Sequence, residues 1–211
     1  MASRKPRGSD NGGSFLVRNR VKVAQIVALL LLPVLLFVHH SWPEGSYLDF
    51  ALDTVGYILL MSGVLGRLWC TLYIGGKKQS TLQRSGPYSL VRHPLYVSSL
   101  LLGLGVSALS ENPIVLGMVI LYFIWQYTTT IRYEEAVLAK AFEERYRDYM
   151  RDVPCFLPSL SSYDATPPEN IDLNALRSEA LRSVVTLSLI PMLGLLALLH
   201  EKHILPYIKF P

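Results

Sequence analysis

The sequence predicts an all-helical membrane protein, a multi-pass bundle of about five transmembrane helices in which a cytoplasmic amphipathic helix completes a polar site. Hydrophobic residues make up 51% of the 211 residues and charged residues only 17%, whereas soluble domains contain about 25% charged residues. The apolar residues are also gathered into five stretches that polar segments separate. Together these observations exclude an ordinary soluble domain and a mainly disordered chain.

The N-terminal segment differs from the rest of the chain. Residues 1–20 are rich in Gly, Ser and cations and lack apolar periodicity, so we predict a mobile basic arm on the anionic membrane surface. The first apolar stretch, 23–38, is not followed by a small-residue cleavage site, which favours a membrane anchor over a signal peptide. A tail is predicted over 201–211.

Four further apolar stretches predict the remaining spans. They cover about 50–73, 95–109, 113–131 and 181–199. Only three residues separate the third span from the fourth, which forces a tight antiparallel hairpin. Ser99, Gly103 and Ser107 form a stripe of small residues on the third span, and such a stripe lets helix backbones approach closely.

The cations lie on alternate polar segments. Six Lys or Arg precede residue 23, four lie in 74–94 and seven in 132–182, whereas 39–49 and 110–112 contain none. Because Lys and Arg collect on cytoplasmic loops, this pattern predicts a multi-pass integral membrane protein with its N-terminus in the cytoplasm. The membrane is the bacterial inner membrane or, in a eukaryote, the endoplasmic reticulum. The net charge of +4 then needs no nucleic-acid partner.

The charged segment after the fourth span predicts the amphipathic helix. Leu138, Phe142 and Tyr149 recur at helical spacing among many charges, which is typical of a helix with one apolar face. We expect this helix to end before Val153, because Pro154 disfavours helix at the residue before it. The cysteines Cys70 and Cys155 lie far apart in unlike surroundings, so the sequence predicts neither a disulfide framework nor a metal site.

Two polar clusters stand at membrane boundaries and could carry chemistry. In the first, Pro94 suits the opening position of a helix, whose free amides favour an anion. Arg92 and His93 beside it suit a carboxylate or a phosphate. An interfacial loop whose cations contact lipid phosphates explains this cluster equally well.

The second cluster, 132–135, stands where the fourth span leaves the hydrocarbon. Its adjacent carboxylates, Glu134 and Glu135, point about 100° apart on a helix, so that one can face the bundle. The alternative is a solvated helix start. Arg67 lies inside the second span, and an intramembrane arginine is a functional candidate, although snorkelling to the interface also accounts for it.

These segments resemble a known family in order and content. The matching motifs are Gly86-Pro87-Tyr88, Val91-Arg92-His93-Pro94-Leu95-Tyr96, Arg132-x-Glu134-Glu135, Phe142-x-x-x-Tyr146-x-x-Tyr149 and Val153-Pro154-x-Phe156-Leu157-Pro158. Over about residues 50–160 the chain resembles the isoprenylcysteine carboxyl methyltransferase and phospholipid methyltransferase family, which are integral membrane enzymes. A methyltransferase domain over 21–200 follows, with 181–199 as an extra span.

The resemblance implies S-adenosylmethionine as the cofactor and assigns residues to it. The implied cofactor-binding residues are Gly86, Pro87, Tyr88, Arg92, His93, Pro94, Tyr96, Glu134 and Glu135. The acceptor side would use Glu135, Arg67 and Arg132 as catalytic groups. Ser98 and Glu143 stand where family members often have Gly, and Cys155 stands where a basic residue often precedes the Phe.

The resemblance further implies a lipid-like acceptor in the membrane. An isoprenylcysteine-type carboxylate is favoured, and a phospholipid amine is the alternative. Membrane lipids and a prenylated substrate are therefore the expected partners, with no nucleic acid and no metal. Two rivals remain, namely an NADPH-dependent sterol or ene reductase, which has a related Arg-His-Pro region, and a non-catalytic membrane adaptor.

Overall fold

A computed structural model describes residues 11–39, 45–74, 81–202, 204 and 208–209. These residues are predominantly helical, with one two-residue parallel pairing of strands. The elements in chain order are α1 (Asn11–Phe37), β1 (Val38–His39), α2 (Tyr47–Ile74), α3 (Pro87–Leu90), α4 (Pro94–Leu109), α5 (Pro113–Gln126), a π-helical turn (Tyr127–Ile131), α6 (Arg132–Asp152), a 3₁₀ turn (Leu160–Ser162), α7 (Leu173–Leu187), α8 (Leu189–Glu201) and β2 (Ile208–Lys209).

Three helical stretches among the described residues are long and apolar enough to cross a membrane. They are Tyr47–Ile74, Pro113–Asp152 and Leu173–His200. The other two predicted spans correspond to shorter apolar helices, Gln25–Phe37 and Pro94–Leu109. The prediction of an all-helical fold with membrane-spanning helices is thus confirmed at this level.

The predictions for the N-terminal segment fall partly on described residues and partly outside them. Helix α1 begins at Asn11, within the segment 1–20 predicted as a mobile arm. Residues 1–10 and His40 lie outside the described residues. The mobility of the arm and the domain limits at 20 and 200 stay predictions.

The antiparallel pair α2 and α4 forms the centre of the bundle. A Cβ added to Gly63 of α2 would lie 2.7 Å from the Leu102 side chain and 2.9 Å from the Ser98 carbonyl oxygen of α4. Gly105 of α4 approaches Leu60 in the same way, at 2.7 Å. Such contacts leave no space for side chains, so glycine sets the distance between the two helices.

The predicted stripe of small residues on α4 packs against α5 instead of α2 at Gly103. A Cβ on Gly103 would meet the Val119 side chain of α5 at 2.8 Å, which confirms a close approach within the α4–α5 hairpin. The Asn112 side chain accepts a hydrogen bond from the Ile114 amide, and Pro113 occupies the first turn of α5. The hairpin therefore has a capped and sharply defined second helix.

A continuous helical path runs from Pro113 to Asp152. The π-helical turn joins α5 to α6, and α6 ends at Asp152 with Val153 in an extended conformation, as Pro154 predicted. Inside α6 the path bends at Glu143, where φ is 45° and ψ is −116°. Beyond the bend, α6 packs against the chain that precedes α3, where Arg84 lies 5.5 Å from the centre of the Tyr149 ring and Leu82 contacts the buried Tyr146 and Tyr149.

Helix α7 is tied to α2 through an ion pair within the bundle. Arg67 Nε donates to Glu179 Oε1, and Arg67 Nη1 donates to Ser99 Oγ of α4 at 2.8 Å. The Glu179 side chain is 6% exposed. Asp172 starts α7 by accepting hydrogen bonds from two backbone amides of the first turn, which is the usual role of an N-cap.

Candidate functional site

The site begins with a tight turn between α2 and α4. Gly86 has φ +59°, and a Cβ at this position would collide with the Tyr73 ring. Both facts require glycine here. The Gly86 amide donates to the Asp164 carbonyl oxygen at 2.8 Å, so the turn is joined to the chain that follows α6. Pro87 then opens the short helix α3.

Hydrogen bonds from the end of α6 and the following segment clasp the turn. The Tyr149 hydroxyl donates to the Tyr88 carbonyl oxygen at 2.6 Å. The Arg92 amide donates to the Pro154 carbonyl oxygen at 2.8 Å. Because these bonds fix the backbone just before the Arg-His-Pro motif and at its first residue, the motif has a defined position against the end of α6.

Glu135 is the centre of the polar cluster. Its Oε1 lies 3.0 Å from Arg92 Nη1 and 3.0 Å from His93 Nε2, where the imidazole N–H donates to the carboxylate. The His93 side chain is 6% exposed and the Glu135 side chain 24% exposed. The structure therefore brings Arg92, His93 and Glu135 together as predicted. Their role in binding a cofactor stays a prediction.

Cys155 lies next to this cluster, although the sequence assigned it no role. Its Sγ is 4.0 Å from Glu135 Oε1. Burial raises the pKa of the Cys155 thiol, and the nearby Glu135 carboxylate adds to the increase, whereas Arg92 opposes it. The thiol is therefore kept protonated at neutral pH.

An aromatic wall adjoins the cluster on the side of His93. The Phe156 ring centre lies 6.4 Å from that of His93, 5.0 Å from that of Tyr127 and 5.6 Å from that of Phe123. Tyr96 completes the wall, with its ring centre 5.9 Å from His93. The wall gives the polar cluster one aromatic side, whose rings other than that of His93 are half-buried.

Sequence reasoning missed most of this wall. Tyr127 suits a membrane-interface belt by position, and Phe156 entered only as part of a motif. The structure itself marks Tyr127 with a π-helical turn that begins there, and such turns are frequent at functional sites. A π turn depends on packing, so sequence alone does not reveal it.

Several buried side-chain polar atoms, one of them in the cluster itself, have no hydrogen bond of good geometry within the described part of the chain. They are Arg92 Nε, the Tyr146 hydroxyl, the Tyr88 hydroxyl and Thr130 Oγ1. Tyr146 is completely buried. Buried polar groups are nearly always satisfied in folded proteins, so these atoms are exceptions to the usual pattern.

The remaining predicted site residues are placed differently. The Arg67 guanidinium is bonded to Glu179 and Ser99 and not to Glu135. Arg132 is exposed at the start of α6, and Glu134 is half-buried. Pro94 is the first residue of α4. The catalytic roles of Arg67 and Arg132 stay predictions.

Two cavities flank the bundle at opposite ends of α2 and α4. One of about 300 Å³ lies beside the Gly86 turn, with Tyr73, Gln83, Arg145 and Glu169 among its lining residues. The other, of about 320 Å³, includes Asp53, Glu111 and His200 in its lining. The first is on the side of the Arg92–His93–Glu135 cluster, and the second is remote from it.

The chain is similar to one protein-family model and to several named proteins. The family model for phospholipid methyltransferases matches residues 52–145, which include Arg92, His93 and Glu135. The cobalt-zinc-cadmium resistance protein CzcN of Cupriavidus metallidurans is 38% identical over 199 residues, covering 94% of this chain and 90% of the relative. The nickel-cobalt-cadmium resistance protein NccN of Alcaligenes xylosoxydans xylosoxydans is 37% identical over 150 residues, covering 71% and 70%.

A mammalian enzyme matches a little over half of the chain. The protein-S-isoprenylcysteine O-methyltransferase of Mus musculus is 37% identical over 128 residues, which cover 56% of this chain and 44% of the enzyme. No solved structure gives a significant match to this chain.

Proposed function

Because the chain belongs to the phospholipid methyltransferase family of membrane methyltransferases, we propose that it transfers a methyl group from S-adenosylmethionine to a lipid-like acceptor. The observation that carries this proposal is the convergence of Arg92 and His93 on Glu135 at 3.0 Å each. These residues come from two family motifs that are separate in the sequence.

The residues present fit S-adenosylmethionine. When bound, this cofactor supplies a methyl group on a sulfonium cation for in-line displacement by an acceptor nucleophile. Arg92 Nε is a buried donor without a partner in the described residues and suits the methionyl carboxylate. The ring faces of Tyr96, Tyr127 and Phe156 suit a cation. Gly86, Pro87, Tyr88, Pro94 and Glu134 complete the proposed cofactor-binding set.

The chain's own groups orient the reactants and exclude water. Glu135 holds the Arg92 guanidinium and the His93 imidazole in fixed directions, and the clasp from Tyr149 and Pro154 fixes their backbone. Such positioning is the main requirement of methyl transfer, because holding donor and acceptor at near-attack distance removes most of the entropic barrier.

The proposed acceptor is an isoprenylcysteine-type carboxylate. A carboxylate reacts without losing a proton and needs only a cation to orient it, for which Arg132, exposed at the start of α6, is the candidate. Arg67 could orient the acceptor carboxylate only if it gave up its hydrogen bond to Glu179. The alternative is a phospholipid amine, which arrives protonated and would need Glu134 or Glu135 to accept its proton.

The topology is part of the same proposal. We place five spans at 23–38, 50–73, 95–109, 113–131 and 181–199, with the N-terminus in the cytoplasm. The polar segments 74–94 and 132–180 then meet at the cytoplasmic surface, and α6 is the cytoplasmic amphipathic helix. The acceptor enters sideways from the bilayer.

Binding of S-adenosylhomocysteine tests the cofactor assignment. We expect His93→Ala and Glu135→Gln to weaken binding more than tenfold in titration calorimetry, which is about 1.4 kcal/mol or more. Glu144→Gln, an exposed carboxylate on the same helix, is the matched control and should bind as the unchanged protein does. Normal binding by His93→Ala would make the motif structural. A thermal shift with NADPH alone would favour the reductase.

The acceptor is tested with labelled S-adenosylmethionine. The purified protein is incubated with a prenylated cysteine analogue or with membrane lipids, and the labelled product is isolated. Base-labile label on the analogue supports the carboxylate ester, and label in an amino-lipid supports the alternative. Label found only in a water-soluble product contradicts sideways entry.

The two bacterial relatives favour a setting for this activity. Their names refer to resistance to cobalt, zinc, cadmium and nickel, and the first aligns with nearly the whole chain. We propose that this chain also contributes to metal tolerance through its methyltransferase activity. Deletion of its gene should then lower growth at raised cobalt or zinc, and a Glu135→Gln copy should not restore it. Restoration by that copy would separate tolerance from methyl transfer.

A further inference from the structure

Three potential metal ligands of different chemistry meet at the centre of the polar cluster. His93 offers an imidazole nitrogen, Glu135 a carboxylate oxygen and Cys155 a sulfur, and these atoms all lie within 4.8 Å of one another. His93 is buried and the other two are half-buried. No other group of three or more such residues occurs in the described ranges.

The clasp between the two halves of the site brings these ligands together. The Arg92 amide donates to the Pro154 carbonyl oxygen at 2.8 Å. His93 and Cys155 are the residues that follow each of these positions, so this one backbone bond holds them side by side. Glu135 then approaches from α6, 3.0 Å from His93 Nε2 and 4.0 Å from Cys155 Sγ.

The distances are close to those that a zinc ion imposes. Zinc binds nitrogen and oxygen at about 2.0–2.2 Å and sulfur at about 2.3 Å in a tetrahedron, which separates ligand atoms by roughly 3.4–3.6 Å. The two observed distances, 3.0 and 4.0 Å, lie on either side of that separation. The third pair, His93 and Cys155, lies within 4.8 Å, so side-chain shifts of about an ångström convert the cluster into a three-ligand site with an open fourth position.

The main opposing group is Arg92. Its Nη1 lies 3.0 Å from the same Glu135 oxygen, so a metal ion must displace the guanidinium from that oxygen. The Arg92 side chain is 15% exposed. Binding also releases the proton of the Cys155 thiol and requires the proton on His93 Nε2 to leave or to move to Nδ1. The gain is a thiolate ligand, which favours Zn²⁺ and other borderline or soft ions over Mg²⁺ or Ca²⁺.

We propose that His93, Glu135 and Cys155 form a binding site for a divalent transition-metal ion of the zinc class, and that this ion and S-adenosylmethionine exclude each other. The exclusion rests on the proposed function, which places His93 and Glu135 at the cofactor. The binding of the metal ion itself does not depend on the proposed function. The site would make methyl transfer sensitive to free metal.

Zinc titration tests the metal site. The purified full-length protein in detergent is titrated with Zn²⁺ by calorimetry, together with Cys155→Ser and with Cys70→Ser, which changes the other free cysteine. We expect one Zn²⁺ per chain in the unchanged protein and in Cys70→Ser, and at least tenfold weaker binding in Cys155→Ser. An unchanged circular-dichroism spectrum confirms that each variant is folded. Equal affinity in all three proteins would overturn the site.

A second titration tests the exclusion. S-adenosylhomocysteine is titrated with and without saturating Zn²⁺, and its apparent affinity should fall at least tenfold in the unchanged protein but less than twofold in Cys155→Ser. Zinc binding without this fall would overturn the exclusion. Absence of S-adenosylhomocysteine binding in metal-free protein would instead contradict the proposed function and leave the zinc result standing.

Discussion

A single carboxylate, Glu135, organises the candidate site at the scale of residues. It pairs with Arg92 and His93, which lie more than 40 positions earlier in the chain. The sequence predicted this meeting because the first motif directly precedes the third predicted span and the second directly follows the fourth, which puts both at the same membrane boundary. It left open which of Glu134 and Glu135 faces inward, because that choice depends on the phase of the helix after the π-helical turn.

The backbone at Glu143 gives a prediction at the same scale. Its φ of 45° lies in a region that glycine adopts freely and other residues adopt at a cost of about 1–3 kcal/mol. We expect Glu143→Gly to raise the midpoint of thermal unfolding of the detergent-solubilised protein. Lys140→Gly, in the regular part of α6, is the control and should lower stability by about 1 kcal/mol. Destabilisation of similar size in both variants would contradict the strained bend.

The helix pair α2–α4 shows what a sequence indicates about elements. Hydropathy located both helices, and the stripe of small residues indicated close packing. The partner of each glycine was not predictable, since Gly103 faces α5 whereas Gly63 faces α4. A pattern of small residues identifies a contact face, and the fold decides what covers it.

Glycine replacement separates packing from helix propensity. Alanine normally stabilises a helix relative to glycine by about 0.8–1 kcal/mol. We expect Gly63→Ala to lower the unfolding midpoint nonetheless, because its Cβ would lie 2.9 Å from the Ser98 carbonyl oxygen. Gly117→Ala, which meets nothing within 4 Å, should leave the midpoint unchanged or raise it. Equal effects of both variants would refute the close approach of α2 and α4.

The ion pair between α2 and α7 allows a second test of the elements. Glu179→Gln leaves Arg67 with a weaker partner in a poorly solvated place and should lower stability by about 1–3 kcal/mol. Arg182 is the second partner of Glu179, and its side chain is 72% exposed. Arg182→Gln should therefore change stability by less than about 1 kcal/mol. Unfolding in detergent with a denaturant series measures both. A larger loss of stability in Arg182→Gln than in Glu179→Gln would show that Arg182, and not Arg67, is the stabilising partner of Glu179.

At the scale of the whole molecule, the apolar pattern was enough to predict an all-helical membrane fold. The position of Pro154 was enough to predict that α6 ends before Val153, because proline restricts the backbone of the residue before it. The aromatic wall and the nearness of Cys155 to Glu135 were beyond reach. They arise from the clasp between the turn at Gly86 and the chain after α6, which is a tertiary contact without a sequence signal.

Chemical labelling tests the predicted orientation. In a Cys70→Ala background, Cys155 should resist a membrane-impermeant maleimide added to intact cells and react after the cells are permeabilised. The expected reason is that the segment containing Cys155 lies on the cytoplasmic side. Rapid reaction in intact cells would reverse the topology, and no reaction after permeabilisation would show that Cys155 is shielded by the fold itself.

The clasp also dictates an order of events during biosynthesis. The Tyr149 hydroxyl holds a carbonyl 61 residues earlier in the chain, and a ribosome adding about 5–20 residues per second needs roughly 3–12 s to reach it. During that interval Arg92 and His93 have left the ribosome before Glu135 and Pro154 can hold them. The nascent chain therefore carries an uncompensated cationic turn, and the Arg92–His93–Glu135 cluster closes only after Tyr149 and Pro154 have also left the ribosome.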